Sequence, residues 1–167
     1  GNLSKEDYAE VAKKGKLREL AGNLSKDGYA ELAGKGKLRE VAGNLSKEDY
    51  AEVAKKGKLR ELAGNLSKDG YEALGKLDKV VEIATHLDDQ DYREMGKKAK
   101  LTKMVANLSR TNALSLGKTG NLDGMTAFMD TEGIESLKFE LKDGILEGLN
   151  ANYLVSKGAN FDALIKA

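Results

Sequence analysis

Apolar residues return along this chain at one constant interval, with polar residues between them. Leu3, Leu24, Leu45, Leu66, Leu87 and Leu108 mark the interval, and Met129 continues the series. Each is followed by Ser4, Ser25, Ser46, Ser67, Asp88, Ser109 or Asp130. These side chains accept hydrogen bonds from the orphan N–H groups of a first helical turn, so each predicts a helix start. With Ser4 as N-cap, Leu3 and Tyr8 take the two positions of a hydrophobic staple, and Asp7 sits where its charge favours the helix N-terminus. Tyr29, Tyr50, Tyr71 and Tyr92 repeat the position of Tyr8. Val11 and Ala12 continue the apolar face, and Gly15 breaks it. A shorter second helix is predicted over 16–21, burying Leu17 and Leu20, with Gly22 as its left-handed closing residue.

Each repeat therefore predicts a miniature helical hairpin. Helices this short are marginal alone, because isolated helices need about 12 to 15 residues to persist in water. The repeats must stack into one core, which is the logic of a solenoid. The expected fold is an all-α solenoid of 21-residue helix-turn-helix repeats forming one continuous domain. Six repeats occupy 1–126, and the looser register over 127–167 is read as divergent repeats forming a C-terminal cap. With helix axes about 8 to 10 Å apart, the stack would be a rod or gentle superhelix on the order of 70 Å long.

Residues 1–21 return unchanged from Gly43, whereas repeats 2 and 4 replace Lys-Glu-Asp-Tyr by Lys-Asp-Gly-Tyr. The duplicated unit is thus a pair of repeats, made by recent duplication or by assembly from a consensus. The irregular C-terminal third favours duplication. Leu154 to Asn160 resembles the end of an ankyrin helix, but over that short stretch only, and the 21-residue period departs from the ankyrin length. No family is assigned on that basis.

Composition narrows the function more than it identifies it. The chain has 28 basic and 27 acidic residues, a net charge of +1. That balance argues against a strong field drawing in nucleic acid or a membrane surface. It lacks cysteine, which removes thiolate metal sites and disulfides, and it lacks proline, which suits closely spaced helices. No signal peptide or membrane-spanning run is visible. The chain opens at a repeat boundary, so targeting information can lie outside it and localisation stays open.

Two rows of side chains are candidates for binding. The first is the tyrosine row, since aromatic residues supply much interface energy, although the staple explains the same residues. The second is Asn2, Asn23, Asn44, Asn65 and Asn107, with His86 in one place of the row. Its amides could bond the corner of the next repeat, a structural ladder, or meet a ligand. His86 is the only histidine and has no partner at triad or metal spacing.

Other motifs are explained more cheaply. The Asn-Leu-Ser triplets match a glycosylation acceptor, but their serines are N-caps. Gly117-Lys118-Thr119 lacks the earlier glycine and the strand of a phosphate-binding loop. Asp88, Asp89 and Asp91 lack calcium-loop geometry and fit a helix N-terminus. Lys13, Lys14, Lys16 and Arg18 make a basic ridge, but Glu10 and Glu19 recur beside it.

The expectation is a non-catalytic scaffold, without metal or cofactor, that binds a partner protein along its repeated surface. The alternative is a spacer or filament subunit that self-associates head to tail through an uncapped face containing Leu3, Tyr8 and Val11. A third reading, an enzyme with a site within 127–167, lacks any visible nucleophile, base and orienting group.

Overall fold

In the computed structural model, residues 3–129 are described. They form twelve short helices and no strand. The expected cap over 127–167 lies outside the described residues except for its first three. The chain divides into two compact units, Gly1–His86 and Leu87–Ala167.

The first unit holds α1 (Lys5–Lys13), α2 (Leu17–Asn23), α3 (Lys26–Gly34), α4 (Leu38–Asn44), α5 (Lys47–Lys55), α6 (Leu59–Asn65), α7 (Lys68–Lys76) and α8 (Val80–His86). Long helices of nine residues alternate with short ones of seven. The long helices begin as expected. Ser4 and Ser46 cap α1 and α5 in full capping boxes: Ser46 N–H donates to Asp49 Oδ2 at 2.9 Å, and Asp49 N–H returns a bond to Ser46 Oγ at 3.2 Å. In α1 these bonds hold the Asp7 carboxyl below the usual carboxylate range. Ser25 and Ser67 cap α3 and α7 through the N–H of Gly28 and Gly70, which cannot return the bond.

The long helices end in a left-handed residue at one repeat position: Gly15, Gly36 and Gly57, then Asp78 with φ 61°. The next residue reaches back five places, as Lys58 N–H does to the Val53 carbonyl at 3.1 Å, giving the Schellman pattern that satisfies the terminal carbonyls. Asp78 keeps this backbone without glycine's freedom.

The short helices correct the sequence reading. Gly22 is inside α2, not its left-handed terminator, and the helix runs on to Asn23 with extended Leu24 as C-cap. A Cβ at position 22 would lie 2.7 Å from Cδ of Lys56, an exposed side chain long enough to swing aside, so the site tolerates glycine inside the helix without demanding it. At the equivalent Gly43 the residue lying above is Leu77, with Cδ1 at 3.4 Å from such a Cβ.

The hairpins are present, α1 packing on α2, α3 on α4, α5 on α6 and α7 on α8, and they stack on one another. Within the first unit each helix packs on the helix three further along: α1 on α4, α2 on α5, α3 on α6, α4 on α7 and α5 on α8. The core between them consists of the tyrosines with Leu17, Leu38, Leu45, Leu59, Leu62, Leu66 and Leu74, all almost fully buried. This core is what holds helices too short to stand alone.

The second unit holds α9 (Asp89–Lys97), α10 (Leu101–Ala106), α11 (Arg110–Thr119) and α12 (Asn121–Ala127). Asp88 and Asp91 form a third capping box, which accounts for the acidic cluster. Here α12 packs on α9 with very close backbone approach: a Cβ on Gly96 would lie 2.5 Å from the Phe128 carbonyl oxygen.

Candidate functional site

The tyrosine row is interior. Tyr8, Tyr29, Tyr50, Tyr71 and Tyr92 are each at most 1% exposed. The Tyr29, Tyr50 and Tyr71 hydroxyls donate to the carbonyls of Ala21, Ala42 and Ala63 in the last turn of the preceding short helix. Burial pushes all three phenols well above their usual pKa. Tyr29, Tyr50 and Tyr71 are thus pins joining α3, α5 and α7 to the short helix before each, and the buried row offers no aromatic stripe to a ligand. Tyr92 lies in the second unit, where its hydroxyl accepts from Asn121 Nδ2 at 3.3 Å.

The asparagine row is local as well. Asn44, Asn65 and Asn107 donate through Nδ2 to the carbonyls of Glu40, Glu61 and Lys103 at 2.7–2.8 Å, closing their own helices and not bonding the next repeat's corner. Asn23 is exposed, His86 is half-buried at the end of α8, and Asn2 lies outside the described residues. Leu3 and Val11 are half-buried while Tyr8 is buried, so the N-terminal face presents the first two more than the third.

The basic ridge is paired in part. Lys13 with Glu10, Lys35 with Glu31, Lys55 with Glu52 and Lys97 with Glu94 lie at 2.8–3.3 Å, all largely solvated. Such pairs add little stability, but they repeat a charge pattern along the surface. One lysine does more. Lys79 Nζ donates to the carbonyls of Gly43 and Leu45, at 2.9 and 2.7 Å, and so closes the C-terminal end of α4. Its partial burial lowers its pKa, opposed by Asp49 and Glu82.

One concave feature breaks the repeat symmetry. Where α2 packs on α5, Arg18 Nε meets Asp49 Oδ1 at 3.0 Å. Where α4 packs on α7, the equivalent residues are Arg39 and Gly70. A cleft of about 260 Å³ opens there, lined by Arg39, Asn65, Leu66, Ser67, Asp69 and Gly70 among others. Arg39 pairs only loosely with its own neighbour Glu40, at 3.8 Å. The alternation of Asp and Gly is plain in the sequence. Its consequence is not, because the arginine concerned belongs to repeat 2 and the glycine to repeat 4.

Among the described residues no group of three or more His, Cys, Asp or Glu side chains is gathered for a metal ion, and no helix is long and apolar enough to cross a membrane. Fold and surface together define an α-helical repeat protein. No family model matches the chain, and no curated protein or solved structure is detectably similar to it.

Proposed function

We propose that this chain is a non-catalytic repeat scaffold that binds a partner protein along its repeated surface. The observation that supports the reading is the division of labour within each repeat. Aromatic and leucine positions are consumed by the stack, while a glutamate–lysine pair returns on the outside of successive long helices. A partner would then be held by many weak contacts of fixed spacing, with affinity growing with the number engaged. Photo-crosslinking tests this. A crosslinker placed in turn at Lys14, Lys35 and Lys56, which share one repeat position, should capture one and the same partner, and at Gly15, Gly36 and Gly57 a different yield common to those three. Yields that ignore repeat position, or no common partner, would overturn it.

A second reading, head-to-tail association, is favoured by a different observation. Leu3, Val11, Leu20 and Leu24 are half-buried, whereas Leu45, Val53, Leu62 and Leu66 at the same repeat positions are buried. Sedimentation over a wide concentration range separates the readings: growth into longer species, abolished by Leu20→Glu, supports association, and a concentration-independent monomer removes it.

A further inference from the structure

The Arg18 and Arg39 sites are two versions of one receptacle. In the first, the Asp49 carboxylate bridges two donors on separate helices, Arg18 Nε at 3.0 Å and Ser46 N–H at 2.9 Å. In the second, the same two donors are present as Arg39 Nε and Ser67 N–H, but the residue between them is Gly70. Ser67 uses its Oγ to accept from Gly70 N–H at 3.1 Å, and its own N–H meets no acceptor among the described residues. Arg39 keeps only the long contact to Glu40, and its side chain is half exposed.

We propose that the cleft between α4 and α7 is a receptor for a single carboxylate, the aspartate side chain of a partner protein. Asp49 shows what fits: one carboxylate oxygen on the guanidinium and the other on the serine N–H, a charge-assisted pair of bonds. The cleft of about 260 Å³ has room for such a side chain with its flanking backbone. Asp69 also lines it. That second negative charge disfavours phosphate or any multiply charged anion and leaves a monoanion as the best occupant. Of the two such pairs within the first unit, Arg18 faces Asp49 and Arg39 alone faces a glycine. The partner's aspartate would therefore fix the register of a ligand on an otherwise repetitive surface.

This inference rests on the scaffold reading, but its test needs no partner. The ligand is N-acetyl-aspartate N-methylamide, titrated into the ¹⁵N-labelled full chain, with N-acetyl-asparagine N-methylamide as the uncharged control. Saturable shifts of Arg39 Nε–H and Ser67 N–H are expected in the millimolar range, at least about tenfold weaker with the asparagine compound. Arg39→Gln should remove the Ser67 shift. Gly70→Asp should remove both, because its own carboxylate takes the ligand's place as Asp49 does. Equal shifts with both compounds, shifts that never saturate, or shifts that persist in Gly70→Asp overturn the proposal. A negative titration leaves the crosslinking result untouched, and a negative crosslinking result leaves the titration untouched, so the two ideas fail separately.

Discussion

Tyr50→Phe separates a structural tyrosine row from a binding one. Tyr50 is fully buried, and its hydroxyl donates to the Ala42 carbonyl at 2.5 Å. The substitution removes that oxygen and leaves the ring, so apolar burial barely changes. A buried carbonyl that loses its donor costs about 1 to 3 kcal/mol. Here the Ala42 carbonyl keeps a weak bond from Leu45 N–H at 3.4 Å, which places the loss in the lower part of that range, about 1 to 2 kcal/mol. For a chain of this size each kcal/mol lowers Tm by about 2 to 4 °C, so a drop of about 2 to 8 °C is expected. Repeat arrays need not unfold in one step, so urea unfolding is paired with hydrogen exchange. Exchange should quicken in the last turn of α4 and in α5 before it does elsewhere. Tyr71→Phe, which frees the Ala63 carbonyl, should act alike on α6 and α7. An unchanged urea midpoint with unchanged exchange would refute the pin, and reduced partner capture at unchanged stability would return the row to the binding surface.

The same burial makes the fold sensitive to alkali. Folded Tyr29, Tyr50 and Tyr71 have phenol pKa values raised above the unfolded value of about 10. Their contribution is complete below about pH 10 and is lost as pH rises further, at up to about 1.4 kcal/mol per pH unit per tyrosine. Phenolate absorbance should rise in step with unfolding, and earlier ionisation in the folded state would contradict this. Ala99 has φ 55° at the position that glycine holds in earlier repeats, so Ala99→Gly should stabilise by about 0.5 to 1 kcal/mol, seen as a higher urea midpoint. Gly34 has open space where a Cβ would go, whereas Gly96 faces the Phe128 carbonyl. Gly34→Ala should therefore gain about 0.5 to 1 kcal/mol and Gly96→Ala lose about 1 to 3 kcal/mol, a difference in sign that thermal unfolding can check. Gly28→Asp and Gly70→Asp should each restore a capping box, worth about 0.5 to 1 kcal/mol. Only the second gains an ion pair to Arg39, so its excess, up to about 1 kcal/mol, should vanish in high salt; equal gains at low salt would contradict the pairing.

What the sequence makes legible is what neighbours along the chain decide. Ser4, Ser46 and Asp88 read correctly as N-caps because a cap depends only on the turn that follows it. Gly15 reads correctly as a break because only backbone freedom is involved. Gly22 reads incorrectly because a glycine within a short helix and a glycine closing one look alike in sequence, and here the helix runs on to Asn23. The tyrosines read as both staple and stripe because spacing does not say where a hydroxyl points; the carbonyl it meets belongs to the previous repeat. Asp78 and Ala99 show the reverse case, in which the letter changes and the left-handed backbone stays, held by the Schellman bonds of Lys79 and Lys100.

The order of stacking gives the Asp and Gly alternation its meaning. Each repeat of the first unit supplies two helices but each helix packs on the third one along, so long always meets short. A short helix meets the long helix two repeats later: α2 of repeat 1 on α5 of repeat 3, and α4 of repeat 2 on α7 of repeat 4. These contacts join repeats of the same parity. Asp49 therefore faces Arg18 from an odd repeat, and Gly70 faces Arg39 from an even one, with no mixing. Had each short helix packed on the long helix of the next repeat instead, Arg39 would have met Asp49, while Arg18 would have met Gly28 and Arg60 Gly70, so the clefts would have fallen on the odd repeats. The ion pair at stake is half exposed and worth at most about 1 kcal/mol, too little to set the register of the core. Its consequence lies at the surface, where the alternation leaves one arginine and one serine N–H joined by a carboxylate of the protein and the equivalent two open to a carboxylate from outside.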